Sequence, residues 1–223
     1  LVPGMAVEIV DNHTLEAYAR RIVAKVERFN KEYSAVTFTE PLPENIRPGH
    51  LIAADEPGPD VHISGCRMSG NRARGLLIGS RGRVIIENNY FHIAGASILF
   101  EGDGNFWFEQ SGVRDVTIRN NIFANGNYGS RGWGSACIAV GSGISQRQTS
   151  RYHRNIQVDG NLFRVFDPRI VNLYCVDGFQ FSASNRIVRT SDYPATFDPK
   201  LHFVFDQCDH IEIPRQIEMA EQR

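Results

Sequence analysis

Val84-Ile-Ile-Glu-Asn-Asn-Tyr-Phe91 decides the fold, because it returns as Val116-Thr-Ile-Arg-Asn-Asn-Ile-Phe123 and as Ile156-Gln-Val-Asp-Gly-Asn-Leu-Phe163. A looser copy precedes them, Val61-His-Ile-Ser-Gly-Cys-Arg-Met68. The shared pattern is V-x-I-x-x-N-x-F, and successive copies begin 23, 32 and 40 residues apart. Alternating apolar residues over a short run indicate a strand. The fixed Asn reads as the turn after it, since Asn tolerates left-handed backbone and bonds its own chain. A second short strand follows each copy, at Leu76–Ile78, Ile98–Phe100, Cys137–Val140 and Val171–Tyr174. One such unit cannot bury its apolar face alone, whereas stacked neighbours can. The expected fold is therefore all-β, a right-handed parallel β-helix over residues 57–213. Asn89, Asn121 and Asn161 should form an internal ladder with Cys66 in the same column. Phe91, Phe123, Phe163 and Met68 should stack inside.

Working outward, strand pairs at Phe179–Phe181 and His202–Phe205 and a short strand at Asp209–Ile213 extend the pattern, and residues 214–223 read as a polar tail. Residues 1–56 differ and read as a small β-barrel-like module. Ala6–Val10, Tyr33–Thr39 and His50–Ala53 read as strands, while Arg20–Phe29 fits either a helix or a strand. The chain opens Leu-Val-Pro-Gly-Met and reads as a segment of something longer, with any secretion signal upstream.

Composition narrows the function. The 223 residues carry 24 Lys+Arg against 25 Asp+Glu, a net charge of −1. That balance argues against a nucleic-acid binder or a polybasic membrane-surface protein. No apolar run approaches the ~20 residues that cross a bilayer. Four cysteines form no CxxC pair and have no His at zinc-ligand spacing, so they read as buried thiols.

The longer spacings place insertions at Glu101–Arg114, Asn125–Ser135 and Gly141–Asn155, and insertions in stacked repeats often form the binding face. The informative stretch is Glu101-Gly-Asp-Gly-Asn-Phe-Trp-Phe-Glu109. If Ile78, Phe100 and Val140 share a column, Glu101 lies between Gly79 and Gly141. Small neighbours around an acidic rung leave a depression that a sugar ring can enter. Glu101 and Asp103, two apart on a continued strand, would lie ~6.6–6.8 Å apart on one side. Such a spacing suits an inverting glycosidase, whose carboxyls flank a water. The alternative is that these acids bond loop backbone or hold a cation, and that Glu109 pairs with Arg114 or Arg74. Asn71-Arg72-Ala-Arg74 lies one coil earlier. Its two arginines, projecting to one side, would clamp hydroxyls or orient a carboxylate, or form surface ion pairs. Trp107 and Trp133 read either as sugar-stacking platforms or as buried loop anchors.

Asn71-Arg-Ala-Arg-Gly-Leu-Leu-Ile78, Gly82-Arg-Val-Ile-Ile-Glu-Asn-Asn89, Glu101-Gly-Asp103, Trp107-Phe-Glu109 and Asp115–Phe123 together resemble glycoside hydrolase family 110, the α-galactosidases that include bacterial blood-group-B α-1,3-galactosidases. Pro3-Gly4, Val7-Glu-Ile-Val10 and Pro48-Gly-His-Leu51 resemble that family's β-barrel module, which tips residues 20–29 toward strand. The resemblance covers roughly residues 3–165. It implies exo-acting, inverting, metal- and cofactor-free hydrolysis of terminal α-galactose on a glycan, by a protein placed in the periplasm or outside the cell. In that reading Glu101, Asp103 and Glu109 are acid/base or sugar-orienting groups. Asn71, Arg72, Arg74, Trp107 and Trp133 contact the sugar. Two features depart from the family pattern. The chain has no Asp-Asp pair, which in the family supplies principal carboxylates from an upstream coil, and Gln110 separates Glu109 from Ser111. The chain is thus expected to hold the downstream part of an active site, and an open β-helix end would invite pairing with a second copy. A glycan-binding or structural β-helix, or a calcium-dependent polysaccharide lyase, are the competing classes.

Overall fold

The computed structural model describes residues 1–108, 112–129, 134–142, 144, 150–194, 202–217 and 219–221. The first four strands are β1 (Ala6–Val10), β2 (Ala17–Arg28), β3 (Ser34–Phe38) and β4 (Leu51–Ala54). They form one antiparallel sheet in the order β3-β2-β1-β4. β1 is central and buries Val7, Ile9 and Val10. Residues 20–28 are strand rather than helix because β2 finds partners on both sides, β1 along its first half and β3 along its second. Local periodicity left that choice open, and tertiary pairing decides it.

From residue 61 on, the chain builds three parallel sheets by contributing one strand to each in turn. One sheet stacks Val61–Ser64, Arg83–Glu87, Asp115–Arg119, His153–Asp159, Val176–Phe181 and Asp209–Glu212. The next stacks Arg67–Ser69, Tyr90–His92, Ile122–Ala124, Leu162–Val165, Arg186–Arg189 and Met219–Glu221. The third stacks Leu76–Ile78, Ile98–Gly102, Ile138–Ser142, Arg169–Tyr174 and His202–Asp206. The arrangement is all-β and β-helix-like, with each sheet turning its apolar side inward on one shared core.

Two columns run through that core. The rings of Phe91, Phe123 and Phe163 stack at 5.1 and 4.7 Å with interplanar angles of 11° and 6°. Met68 lies in register with Phe91, and Ile187 and then Met219 continue the column beyond Phe163. The segment expected to be a polar tail therefore contains a paired strand, because Met219 supplies the apolar side chain for one more rung.

The second column is the Asn ladder. Asn121 Oδ1 accepts from the backbone N–H and the side-chain amide of Asn89, at 2.9 and 3.1 Å. Asn161 Oδ1 does the same for Asn121. The Cys66 N–H donates to Asn89 Oδ1, which begins the series. Asn185 ends it, accepting from Asn161. Left-handed backbone belongs to the residue before each of the first four rungs, Gly65, Asn88, Asn120 and Gly160. The ladder residues chiefly bond the neighbouring coil rather than their own turn, a correction to the reading from sequence. Of the four free thiols, Cys137 and Cys175 are buried, Cys208 is half-buried and Cys66 is exposed. Cys66 differs from the expected buried thiol because it sits on the outermost rung of the ladder.

Candidate functional site

Glu101 is placed by a strand whose alternation is strict. Ile98 and Phe100 are buried, so Leu99 and Glu101 face outward. In the parallel register Glu101 lies opposite Gly141 on one side. On the other, Phe100 lies opposite Ile78, which makes Gly79 the next neighbour. A Cβ built on Gly141 would sit 3.6 Å from Glu101 Oε1. The two positions beside Glu101 on the neighbouring strands are therefore both glycine. The result is a cleft of about 600 Å³ lined by Arg74, Leu77, Gly79, Glu101, Asp103, Asn105, Phe106 and Trp107.

Asp103 lines the same cleft but is committed elsewhere. The strand ends at Gly102, so the two-residue alternation that would pair Asp103 with Glu101 stops before it. The Asp103 carboxylate turns back on its own loop and accepts from the N–H groups of Asn105, Phe106 and Trp107. Burial alone would raise its pKa. Backbone donors from Trp107, Asn105, Phe106 and Phe108 outweigh that and hold the carboxyl below its ordinary range. Asp103 is only 8% exposed. A carboxylate held ionised in this way is a poor proton donor; it shapes the loop. The loop in turn presents three aromatic rings to solvent, Phe106, Trp107 and Phe108, at 73, 70 and 68% exposure. Phe106 and Trp107 meet edge to face at 4.8 Å.

Beneath the cleft the packing is tight. A Cβ on Gly102 would fall 2.3 Å from Tyr152 Cε2, so only glycine fits there. The Gly141 carbonyl accepts from Tyr152 Oη at 3.2 Å and from His153 Nε2 at 2.9 Å. His153 Nδ1 accepts from the Val113 N–H. This fixes the tautomer with the proton on Nε2 and the ring neutral. Burial pushes the His153 pKa down to about 4, against a smaller opposing pull from the Gly141 carbonyl.

The corner of the preceding coil separates the two arginines. Arg74 lines the cleft, whereas Arg72 is exposed and outside its lining. Residues 71–75 are a turn rather than a strand, so the expected common direction does not arise. Asn71 braces that turn by donating to the Arg74 carbonyl at 3.2 Å. Glu109 and Trp133 lie outside the described residues. Arg114, a suggested partner for Glu109, lies 3.9 Å from Glu8. A second groove, about 460 Å³ on an outer sheet face, is lined by polar groups that already have partners, among them Gln180 with Glu212 inside it and Arg119 with Glu87 outside it.

Sequence reasoning missed Asn12, Leu15 and Leu51, which hold the aromatic loop from the antiparallel sheet. Asn12 Nδ2 donates to Asn105 Oδ1 at 3.0 Å, and Asn105 Nδ2 donates to the Asn12 carbonyl at 2.8 Å. These partners lie 93 residues apart, and no local pattern signals such a contact.

Residues 1–52 match the family described as GLAA-B beta-barrel domain II. The chain is 38% identical over 193 residues to the α-1,3-galactosidase A of Shewanella woodyi, covering 86% of this chain and 31% of that protein. It is 34% identical over 213 residues to the α-1,3-galactosidase B of Bacteroides thetaiotaomicron, covering 95% and 34%. It is 29% identical over 215 residues to the α-1,3-galactosidase B of Akkermansia muciniphila, covering 95% and 27%. These similarities support a protein of the glycoside hydrolase family 110 type. The chain spans about a third of the length of the curated relatives it matches. The family 110 resemblance now extends through both parts of the chain, the antiparallel sheet as well as the stacked coils. The loop that walls the Glu101 cleft rests on the antiparallel sheet through Asn12, Leu15 and Leu51.

Proposed function

We propose that the family 110-type protein to which this chain belongs removes terminal α-linked galactose from glycans with inversion. Its coils are read as a right-handed parallel β-helix, the hand that parallel crossovers overwhelmingly take. The observation that carries the proposal is Glu101, directed outward between two glycines in a cleft walled by the exposed Trp107 ring. Inversion requires two carboxyl groups about 6.5–9.5 Å apart, one protonating the leaving oxygen and the other activating water. Glu101 is one of that pair. Asp103 is the loop's anchor: held below its normal pKa it does not carry a proton to the leaving oxygen, and both its oxygens already accept loop N–H groups, which disfavours it as the base. The second carboxyl comes from Glu109 or from another coil of the longer protein. Arg74 orients sugar hydroxyls, and Trp107 with Phe106 covers the C–H face of the ring. A terminal sugar fits this cleft because the loop closes one side. A glycan substrate of this kind supports a periplasmic or extracellular location.

The test is steady-state hydrolysis of an α-1,3-galactoside by the whole protein and its Glu101→Gln variant. The variant should lose about 10²–10⁴ in kcat, and proton NMR of the wild-type reaction should show β-galactose as the first product. Unchanged kcat in Glu101→Gln removes Glu101 from the chemistry. A second reading, a glycan-binding β-helix without turnover, draws on the engagement of Asp103 by its own loop. Saturable galactoside binding with no release of galactose would select it.

A further inference from the structure

The aromatic loop cannot hold its place by itself. The Asp103 carboxylate gathers the loop's inner N–H groups, which fixes the shape of the loop but not its position over the cleft. The hairpin turn Asp11–Glu16 between β1 and β2 meets the loop from outside, beside Leu51 of β4. That turn is well braced. Asp11 Oδ1 accepts from the N–H groups of His13 and Thr14 at 2.7 and 3.2 Å, and the Leu15 N–H donates to the Asp11 carbonyl at 2.8 Å. Leu15 is held at φ 57°, a conformation that side chains with a Cβ rarely adopt, and is nonetheless buried. Its side chain reaches the loop. A Cβ on Gly104 would fall 2.7 Å from Leu15 Cδ2 and 2.3 Å from Leu51 Cδ1, so the loop backbone lies directly on these two residues. Beside them the Asn12–Asn105 pair exchanges two hydrogen bonds.

We propose that the Asp11–Glu16 turn, through Asn12 and Leu15, is a positioning element for the Asp103–Phe108 loop, so that the antiparallel sheet sets the place of Trp107 in the cleft and thereby the affinity for the sugar. Asn12 and Leu15 act through the loop and do not touch substrate. Their sugar-binding consequence rests on the function proposed above; their effect on the loop does not.

The experiment measures amide hydrogen exchange of the peptide covering residues 103–108, together with KM and kcat for an α-1,3-galactoside, in Asn12→Ala, Asn105→Ala and the double variant of the whole protein. Asn12→Ala should speed exchange in that peptide about tenfold and leave exchange in the Asn ladder around Asn121 unchanged. KM should rise about five- to twentyfold while kcat changes less than about threefold, because Glu101 stays on its strand. The double variant should be no worse than Asn105→Ala, as expected for residues sharing one contact. If Asn12→Ala fails to fold, Asn105→Ala tests the same contact from the loop side. Wild-type exchange and KM in both single variants would overturn the proposal. Faster loop exchange in Asn12→Ala alongside an undiminished Glu101→Gln enzyme would leave the positioning role standing and remove the function. An inactive Glu101→Gln enzyme alongside an unmoved loop would do the reverse.

Discussion

At the residue scale, the two acids of the Glu-Gly-Asp stretch separate by what surrounds them. Glu101 stands on the outward side of a strand with glycine on both neighbours, and Asp103 begins a turn and is taken up by amides. Two residues of chain are enough to change a carboxylate's role, because the strand ends between them. His153 beneath the cleft gives a pH prediction. Its pKa of about 4 in the folded protein lies below the ordinary 6.5. The unfolded chain therefore takes up a proton as pH falls below 6.5 that the native state refuses, and stability declines until about pH 4. The full shift corresponds to ~3 kcal/mol. Urea unfolding at pH 7 and pH 4.5 should show a loss from this source of about 2–3 kcal/mol that His153→Gln removes. Equal pH dependence in both proteins would contradict the neutral, buried assignment. Asp103 acts in a separate window. Its carboxyl is held below the usual range, so its support for the loop is present above the ordinary Asp pKa and fades only as pH falls through its lowered value.

At the element scale, the Asn ladder explains why the coils keep register. Each buried Asn satisfies a backbone N–H of one coil with its carbonyl oxygen and a backbone carbonyl with its amide; Asn121, for instance, also donates to the Ile86 carbonyl at 2.8 Å. Replacing it by Ala strands groups on Asn89 and Ile86 away from water, and each buried unpaired group costs ~1–3 kcal/mol. Asn121→Ala should lower unfolding free energy by about 3–4 kcal/mol; a loss under about 1 kcal/mol would mean that the ladder is decorative. The repeat that announces this ladder was legible because Asn89, Asn121 and Asn161 each stand three residues beyond an inward apolar residue. Asn185 escaped notice because a Ser182–Ser184 turn adds one residue between it and Phe181. Met219 escaped because a single apolar residue in polar surroundings carries no periodicity. β2 stayed ambiguous for the opposite reason: its strand character comes from its partners.

At the scale of the whole molecule, the antiparallel sheet is fastened to the coils by a buried ion pair and a small apolar cluster. Arg81 donates to both oxygens of Glu8, at 2.8 and 3.1 Å, and is almost fully buried. Leu15 packs with Ile144, Tyr152 and Cys175. Removing one partner of a buried pair leaves the other charge without compensation, which costs ~3–5 kcal/mol. Glu8→Gln should therefore destabilise the protein by about 3 kcal/mol in urea unfolding, and a change within about 0.5 kcal/mol would show that the pair does not hold the two parts together. The stacking that frames Glu101 could be read from the sequence because parallel register follows from a repeated pattern. The support of its loop could not, since Asn12, Leu15 and Leu51 reach Gly104 and Asn105 only across the join between two differently built parts.

The most direct test of the cleft is a crystal structure of the whole protein carrying Glu101→Gln, grown with a terminal α-1,3-galactoside. The galactose ring is expected over residue 101, between Gly79 and Gly141, with Trp107 against its C–H face. A sugar bound elsewhere, with this cleft holding only solvent, would contradict that placement.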